Sequence, residues 1–288
     1  MRFFFVDTIT SLSPGAITGR QTFGHHDLLR YPLSDGTSLI APSIVCEAIG
    51  QLASWYCLSH NEFSMRPVFL FAERIDILSE VRAGQTIDLF AEITSLNRDA
   101  FRFSGSAHAN GTLVQTISNA AGSFVPLEDL EDPTVTRTQF AELREGGIGR
   151  NGPQGDPYPF ASLIDSVEVL EPRRLAKVTK TFSPTEGFYA DHFPRFPVTP
   201  AVMLNEMIGQ AAGKMLGADH AGPVIPRAIQ GVKIRSFVRP GETCETSVRL
   251  DCIGPSANPD KETATITATV AKNSKAMMRA TFQFEIPR

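Results

Sequence analysis

The stretch Asp191-His192-Phe193-Pro194-Arg195-Phe196-Pro197-Val198-Thr199-Pro200, running straight into Ala201-Val202-Met203-Leu204-Asn205-Glu206-Met207-Ile208-Gly209-Gln210, decides the reading of this chain. It sets an imidazole in an aromatic, proline-stiffened loop and a carboxylate 14 positions later in a helix that is apolar on nearly every face. Pro200 suits the first helical turn and leaves the N–H groups of Ala201 and Val202 at a positive dipole end, where they could polarise a carbonyl oxygen. A carboxylate wrapped by apolar residues is driven toward desolvation and a raised pKa, which makes Glu206 a functional candidate. The plainer alternative is a Glu that points to a solvated helix end or pairs with Gln210. His192, held neutral by a water-poor loop, has the makings of a base near pH 7; the alternative is an imidazole that is simply hydrogen-bonded.

The same outline occurs earlier, so the chain reads as one unit written twice. Phe5-Val6-Asp7 answers Leu163-Ile164-Asp165, and Gln21-Thr22-Phe23 answers Lys180-Thr181-Phe182. Ile49-Gly50-Gln51-Leu52-Ala53 answers Ile208-Gly209-Gln210-Ala211-Ala212, and Val81-Arg82-Ala83-Gly84-Gln85-Thr86 answers Val238-Arg239-Pro240-Gly241-Glu242-Thr243. The intervals agree: Asp7 to Glu47 is 40 and Asp165 to Glu206 is 41, while Glu47 to Gly84 is 37 and Glu206 to Gly241 is 35. Glu47 therefore shares the anomaly of Glu206. Each copy reads as a strand, an irregular segment, one apolar helix (44–57 and 201–216) and three or four strands, with alternation over 86–93, 264–270 and 278–286. One helix enclosed by an antiparallel sheet, repeated, is an α+β arrangement. The boundaries expected are 1–126 and 157–288, joined by a linker over 127–156 with an acidic patch and one or two helical turns around Phe140 to Arg144. The glycines at 146–152 lack the flanking strand and helix that a phosphate-cradling loop needs.

A length of 288 residues suits two domains or a double domain, and 42% apolar with 20% charged residues is ordinary globular composition. A net charge of −4 gives a nucleic-acid partner no support. No run approaches the roughly 20 apolar residues of a membrane span, and Asp7 interrupts the apolar start, so cytoplasmic residence is the expectation. The four cysteines (Cys46, Cys57, Cys244, Cys252) form no CxxC pair and are expected as free buried thiols.

His-Phe-Pro, a proline-ended loop, and an apolar helix with Glu fourteen residues past the His and Gln four later resemble the FabA/FabZ family of (3R)-hydroxyacyl-acyl carrier protein dehydratases, of the hotdog fold. Tyr158-Pro159-Phe160-Ala161-Ser162-Leu163-Ile164-Asp165-Ser166-Val167 resembles that family's opening segment, and Val238-Arg239-Pro240-Gly241 its strand turn. The resemblance covers the C-terminal half nearly end to end and the N-terminal half more faintly. Glu206, where Asp would mark the FabA branch, is closer to FabZ, which dehydrates without isomerisation. Two departures stand out: Arg195 and Ala201 replace loop glycines, and in Leu28-Leu29-Arg30-Tyr31-Pro32, followed by a longer loop to Pro42, Arg30 stands where the His would be.

The resemblance implies a double hotdog whose halves share sites, each taking its His from one half and its acid from the other. Carried over, the pairs are His192 with Glu47, and Arg30 with Glu206. Arg30 cannot accept a proton, so the second pair reads as a salt bridge in an inactive pseudo-site; His25 and His26 are expected at the surface. In the competent site His192 would remove the proton beside a thioester carbonyl while an amide of Ala201 or Val202 steadies the enolate. Glu47, protonated and oriented by Gln51, would donate to the departing 3-hydroxyl of a (3R)-hydroxyacyl thioester, giving the trans-2-enoyl product of fatty-acid or polyketide-type biosynthesis. Phe188, Tyr189 and Phe196 would line an acyl tunnel. No metal or organic cofactor is implied. The thioester would ride on an acyl carrier protein or coenzyme A, met by Arg195, Lys233, Arg235 and Arg239, unless these are a solvated strand face. Association of double-hotdog chains into a homo-oligomer is left open. The competing readings are a non-catalytic acyl-binding subunit, and a thioesterase whose helix carboxylate activates water without His192.

Overall fold

The structure, a computed structural model, describes residues 3–24, 29–147, 163–217 and 224–287. Its first part runs β1 (Thr8–Ser13), β2 (Ala16–Thr22), β3 (Arg30–Pro32), β4 (Ser38–Ile40), α1 (Pro42–His60), β5 (Met65–Ile77), β6 (Thr86–Leu96), β7 (Ala100–Ala109) and β8 (Thr112–Pro126). Helices α2 (Leu127–Leu130) and α3 (Pro133–Glu145) follow. The second part runs β9 (Ser166–Glu171), β10 (Leu175–Thr181), α4 (Ala201–Leu216), β11 (Pro226–Ile234), β12 (Thr243–Pro255), β13 (Lys261–Lys272) and β14 (Lys275–Pro287). Each part opens with two strands, where the sequence pattern suggested one, and the first adds the small β3–β4 hairpin.

All long strands join one antiparallel sheet in the order β1-β2-β6-β7-β8-β5-β11-β14-β13-β12-β10-β9, two six-stranded halves that are mirror sequences of one another. The halves meet at β5 and β11, where Ala72 pairs with Val232 and Ile75 with Ile229. Each is the other pair under a shift of 157 residues (229 − 72 and 232 − 75), so a local two-fold axis passes through this seam. Edge-to-edge joining leaves each half free to wrap its own helix, and α1 and α4 touch where the halves meet.

The repeat is visible in individual hydrogen bonds. Asp7 accepts from the N–H of Thr22 at 2.7 Å, as Asp165 does from Thr181 at 2.7 Å. The turns at Gly84 (φ 92°) and Gly241 (φ 80°) need left-handed backbone, and their N–H groups donate to Phe23 and Phe182 respectively. Helix α1 buries Ile44, Val45, Ala48, Ile49, Leu52 and Ala53, and α4 buries Met203, Met207, Ile208, Ala211 and Ala212. Apolar residues at nearly every position are what a helix enclosed by a sheet requires. Pro42 starts α1, Pro200 caps α4, and Gly217 ends α4 in left-handed backbone (φ 71°).

The segment after β8 is more ordered than its composition suggested. α3 is a 13-residue helix whose N-cap, Asp132, accepts from the N–H groups of Thr134 and Val135, with Pro133 in the first turn. Leu127, Leu130, Phe140 and Leu143 are buried, and Phe140 stacks on Trp55 of α1 with centroids 6.0 Å apart. Of the cysteines, Cys57 and Cys244 are buried but Cys252 is exposed, correcting the expectation that all are buried; all four are free. Residues 25–28 and 158–162, which include His25, His26 and half of the opening segment noted above, lie outside the described residues, as do the glycines at 149 and 152. Among the described residues no helix is long and apolar enough to cross a membrane.

Candidate active site

A cavity of about 480 Å³ lies where the halves meet, lined by Glu47, Gln51, His192, Ala201 and Val202 among others. His192 comes from the loop before α4, with the N–H of His192 donating to Phe188. The next residue, Phe193, sits in left-handed backbone (φ 59°), a conformation that costs a bulky residue of order 1–3 kcal/mol and persists only where its surroundings hold it. Its ring stacks on the imidazole at 4.3 Å, and Phe3 of the first half meets the imidazole edge-on at 5.0 Å. Nδ1 of His192 lies 2.9 Å from the carbonyl of Val198, an acceptor only, so Nδ1 carries the proton and Nε2 keeps the lone pair. Desolvation, reinforced by the nearby Arg66 cation and opposed by the Val198 bond, lowers the imidazole pKa to about 4. The ring is neutral at pH 7.

Glu47 lies one turn into α1, half-buried. Gln51, one turn on, donates through Nε2 to its Oε1 at 3.0 Å, while Gln51 Oε1 accepts from the N–H of Phe5 at 2.8 Å. The amide is thereby fixed with its donor toward the acid. Desolvation raises the Glu47 pKa against the pull of Gln51 and Arg66. A neutral imidazole and a carboxyl whose pKa burial raises, contributed by opposite halves, therefore share one cavity. At its edge, α4 has no side-chain cap, and while the N–H of Met203 is taken by Pro200, Ala201 and Val202 face the cavity.

The second, symmetry-related position differs. Glu206 is buried, but its carboxylate accepts from the hydroxyls of Tyr31 and Ser43 and from the N–H of Ser43 in the first turn of α1. The salt bridge expected between Arg30 and Glu206 is not formed. Arg30 reaches Ser38 across the β3–β4 hairpin at 3.5 Å. Backbone conformation explains the difference: Leu29 (φ 53°) takes the left-handed turn that Phe193 takes after His192, so Arg30 lies beyond the His position. Tyr31, which the sequence pattern did not single out, fills the space, and the cavity beside Glu206 shrinks to about 10 Å³. Gln210 accepts from the N–H of Leu163 at 2.8 Å, mirroring Gln51, yet among the described residues its Nε2 has no partner, the Glu206 carboxylate being held by Tyr31 and Ser43.

Other expectations shift as well. Phe188 and Tyr189 are core residues, Tyr189 bonding Thr199, and neither they nor Phe196 line the large cavity. Its apolar walls come instead from Phe69 of β5, Phe101 and Phe103 of β7, Ile117 of β8, and Phe237. Arg195 is committed to the α2–α3 segment: it donates to the carbonyl of Glu128 and to Asp132, both at 2.9 Å. Lys233, Arg235 and Arg239 are exposed, and Arg239 stacks over Phe196 at 4.6 Å. Four more charged residues line the cavity: Asp191 beside His192, Asp132 at the start of α3, and two that were not legible in the sequence as site residues, Arg66 at the start of β5 and Glu131 between α2 and α3, ion-paired at 2.9 Å. Among the described residues no cluster of three or more His, Cys, Asp or Glu side chains is arranged to hold a metal ion.

Comparison with known proteins gives a consistent picture. Residues 169–277 match the model of the ApeI-like family, described as ApeI dehydratase. The chain is 33% identical over 102 residues to the 3-hydroxyacyl-[acyl-carrier-protein] dehydratase FabZ of Ruminiclostridium cellulolyticum, covering 34% of this chain and 71% of that one. It is 33% identical to the FabZ of Clostridium tetani, covering 42% of this chain and 86% of the relative. Among solved structures, the dehydratase domain of PpsC from Mycobacterium tuberculosis, in complex with C12:1-CoA, superposes over 99% of this chain and 100% of its own, with a TM-score of 0.56 and 11% identity. A putative oleoyl thioesterase from Lactobacillus plantarum superposes over 95% and 97%, with a TM-score of 0.57 and 10% identity. At such identities the structural likeness speaks for the double-hotdog fold alone.

Proposed function

The chain belongs to the FabZ-like family of hotdog dehydratases, and on that premise we propose that it converts a (3R)-hydroxyacyl thioester to the trans-2-enoyl thioester, at one site per chain between its two halves. The observation that carries the reading is the pairing, in one cavity, of an imidazole held neutral with a carboxyl biased toward its protonated form. Elimination of water needs both states at once.

His192 Nε2 takes the C2 proton of the substrate. The Val198 carbonyl holds the opposite N–H, fixes the tautomer and steadies the imidazolium that forms. Negative charge builds on the thioester oxygen, and the uncapped N–H groups at the mouth of α4 are the donors for it. As the electrons of the C2–H bond form the C2–C3 double bond, the C3–O bond breaks and Glu47 delivers its proton to the leaving hydroxyl, which departs as water. Gln51 holds the carboxyl at the correct rotamer. Proton return from His192 to Glu47 restores the starting state, so no external reductant or oxidant enters.

In this reading the acyl chain lies along Phe101, Phe103 and Ile117, and the thioester belongs to an acyl carrier protein or coenzyme A in fatty-acid or polyketide-type biosynthesis in the cytoplasm. Exposed Lys233, Arg235 and Arg239 supply the cationic surface for an acidic carrier; Arg195 serves the fold instead. The halves are bounded near 126 and 157, with Arg30 and Glu206 outside the chemistry. The test is His192→Ala assayed with 3-hydroxyacyl thioesters. Loss of dehydration in a folded variant is expected, and retained dehydration refutes the assignment. Hydrolysis without dehydration in the parent protein would make it a thioesterase; acyl binding without turnover would make it a binding subunit.

A further inference from the structure

Two consecutive acids at the turn between α2 and α3 each neutralise an arginine of a different half. Asp132 pairs with Arg195 of the His192 loop at 2.9 Å, and Glu131 pairs with Arg66 of β5 at 2.9 Å. The first is a surface pair, with both side chains 47% exposed; the second is enclosed, with both at 18%. Enclosure matters, because exposed pairs contribute little while a partly buried charge acts through a low dielectric. Arg66 and Glu131 line the same cavity as His192 and Glu47, and the Arg66 guanidinium stands 5.8 Å from the ring of Phe193, which stacks on His192. Neither Arg66 Nε nor Glu131 Oε1 has a hydrogen-bond partner among the described residues, so the two are held together by charge, and Glu131 is the carboxylate ion-paired with that guanidinium.

We propose that Glu131 is a positioning residue of the His192–Glu47 dyad, acting through Arg66: it cancels a cation that would otherwise impose its full charge on both groups. This rests on the dehydratase reading only in that the two groups are taken as base and acid. The surroundings leave few other sources of charge. Glu47 faces Gln51 and Cys46 on α1, Arg66 on β5, and Asn205 on α4; of these only Arg66 is charged at neutral pH, the Cys46 thiol being pushed up to about 12. His192 faces Phe3, Phe193 and the Val198 carbonyl; the neighbouring Asp191 accepts from the N–H of Phe3 at 2.9 Å, and Arg195 is matched by Asp132.

The signs are definite. Without its carboxylate partner, Arg66 favours ionised Glu47 and neutral His192, so both titrations move down. Removing Arg66 instead leaves an unpaired Glu131 anion, and both move up. Opposite shifts from two partners of one ion pair are what a merely structural contact would not produce.

The experiment measures the pH profile of kcat/KM for dehydration, and in parallel the titration of the His192 C2 proton by NMR, in the full-length protein. Glu131→Gln is expected to move both limbs of the profile down by about one pH unit, Arg66→Met to move them up by a similar amount, and the double variant to return close to the parent. The NMR titration reports on charge whether or not the protein turns over, so an inactive parent would sink the dehydratase reading and leave this one testable. If Glu131→Gln does not fold, the upward shift in Arg66→Met decides. Limbs and His192 titration that coincide within about 0.3 pH units in the folded variants would overturn the proposal.

Discussion

At the scale of single residues the two glutamates are the sharpest contrast in the molecule. Both stand at the same place in an apolar helix, and burial raises both carboxyl pKa values. What separates them is the neighbour: Gln51 turns an amide donor to Glu47, whereas Tyr31 and Ser43 hold Glu206. Glu47→Gln is therefore expected to lower kcat by about 10²–10⁴-fold, the usual range for a general acid. Glu206→Gln should stay within a few-fold of the parent, and steady-state assays of the two variants settle the order. His192 carries a second expectation. Its folded titration near 4 lies below the ordinary 6.5, so between those values the unfolded chain binds more protons. Stability from this group is full above pH 6.5 and falls as the pH drops toward 4; urea midpoints at pH 7 and 5 should converge in His192→Gln relative to the parent.

At the scale of elements, what the sequence reveals depends on how local the cause is. Helix 201–216 was legible to the residue, and α1 within three residues at either end, because apolar density and proline punctuation act within the segment itself. Helix α3 was underestimated. Its apolar residues are few, but Asp132-Pro133-Thr134 is an N-cap followed by proline in the first turn, and that signal was available. Tyr31, Arg66 and Glu131 were illegible for a different reason: each acts on a partner distant in the chain, Tyr31 on Glu206 across the halves and Glu131 on Arg66 where β8 returns beside β5. The misplaced Arg30 belongs here too, since the left-handed turn that aligns Leu29 with Phe193, and so sets Arg30 one position past it, is not announced by the residue type at either place. The sheet offers its own prediction at Gly122. A Cβ there would stand 2.0 Å from the carbonyl of Val68 and 2.6 Å from the Phe101 ring. Gly122→Ala should cost about 1–3 kcal/mol in thermal or urea unfolding. By pushing Phe101 into the cavity it should also raise KM more for long acyl chains than for short ones.

At the scale of the whole molecule, the proposed dehydration site is an intrachain one, its two residues coming from halves fused in one chain. Mixing folded His192→Ala protein with folded Glu47→Gln protein is accordingly expected to leave dehydration at background, since neither chain can lend its intact residue to the other without opening the β5–β11 seam. Recovery of activity on mixing would show that the halves exchange between chains. The unequal cavities, about 480 Å³ against about 10 Å³, also carry an expected stoichiometry under the proposed function. A symmetrical pair of hotdogs would take up two equivalents of an unreactive substrate analogue, with room for one site to answer to the other. Here a calorimetric titration should saturate at one equivalent per chain with a Hill coefficient of one, because Tyr31 and Glu206 have already occupied the other seat.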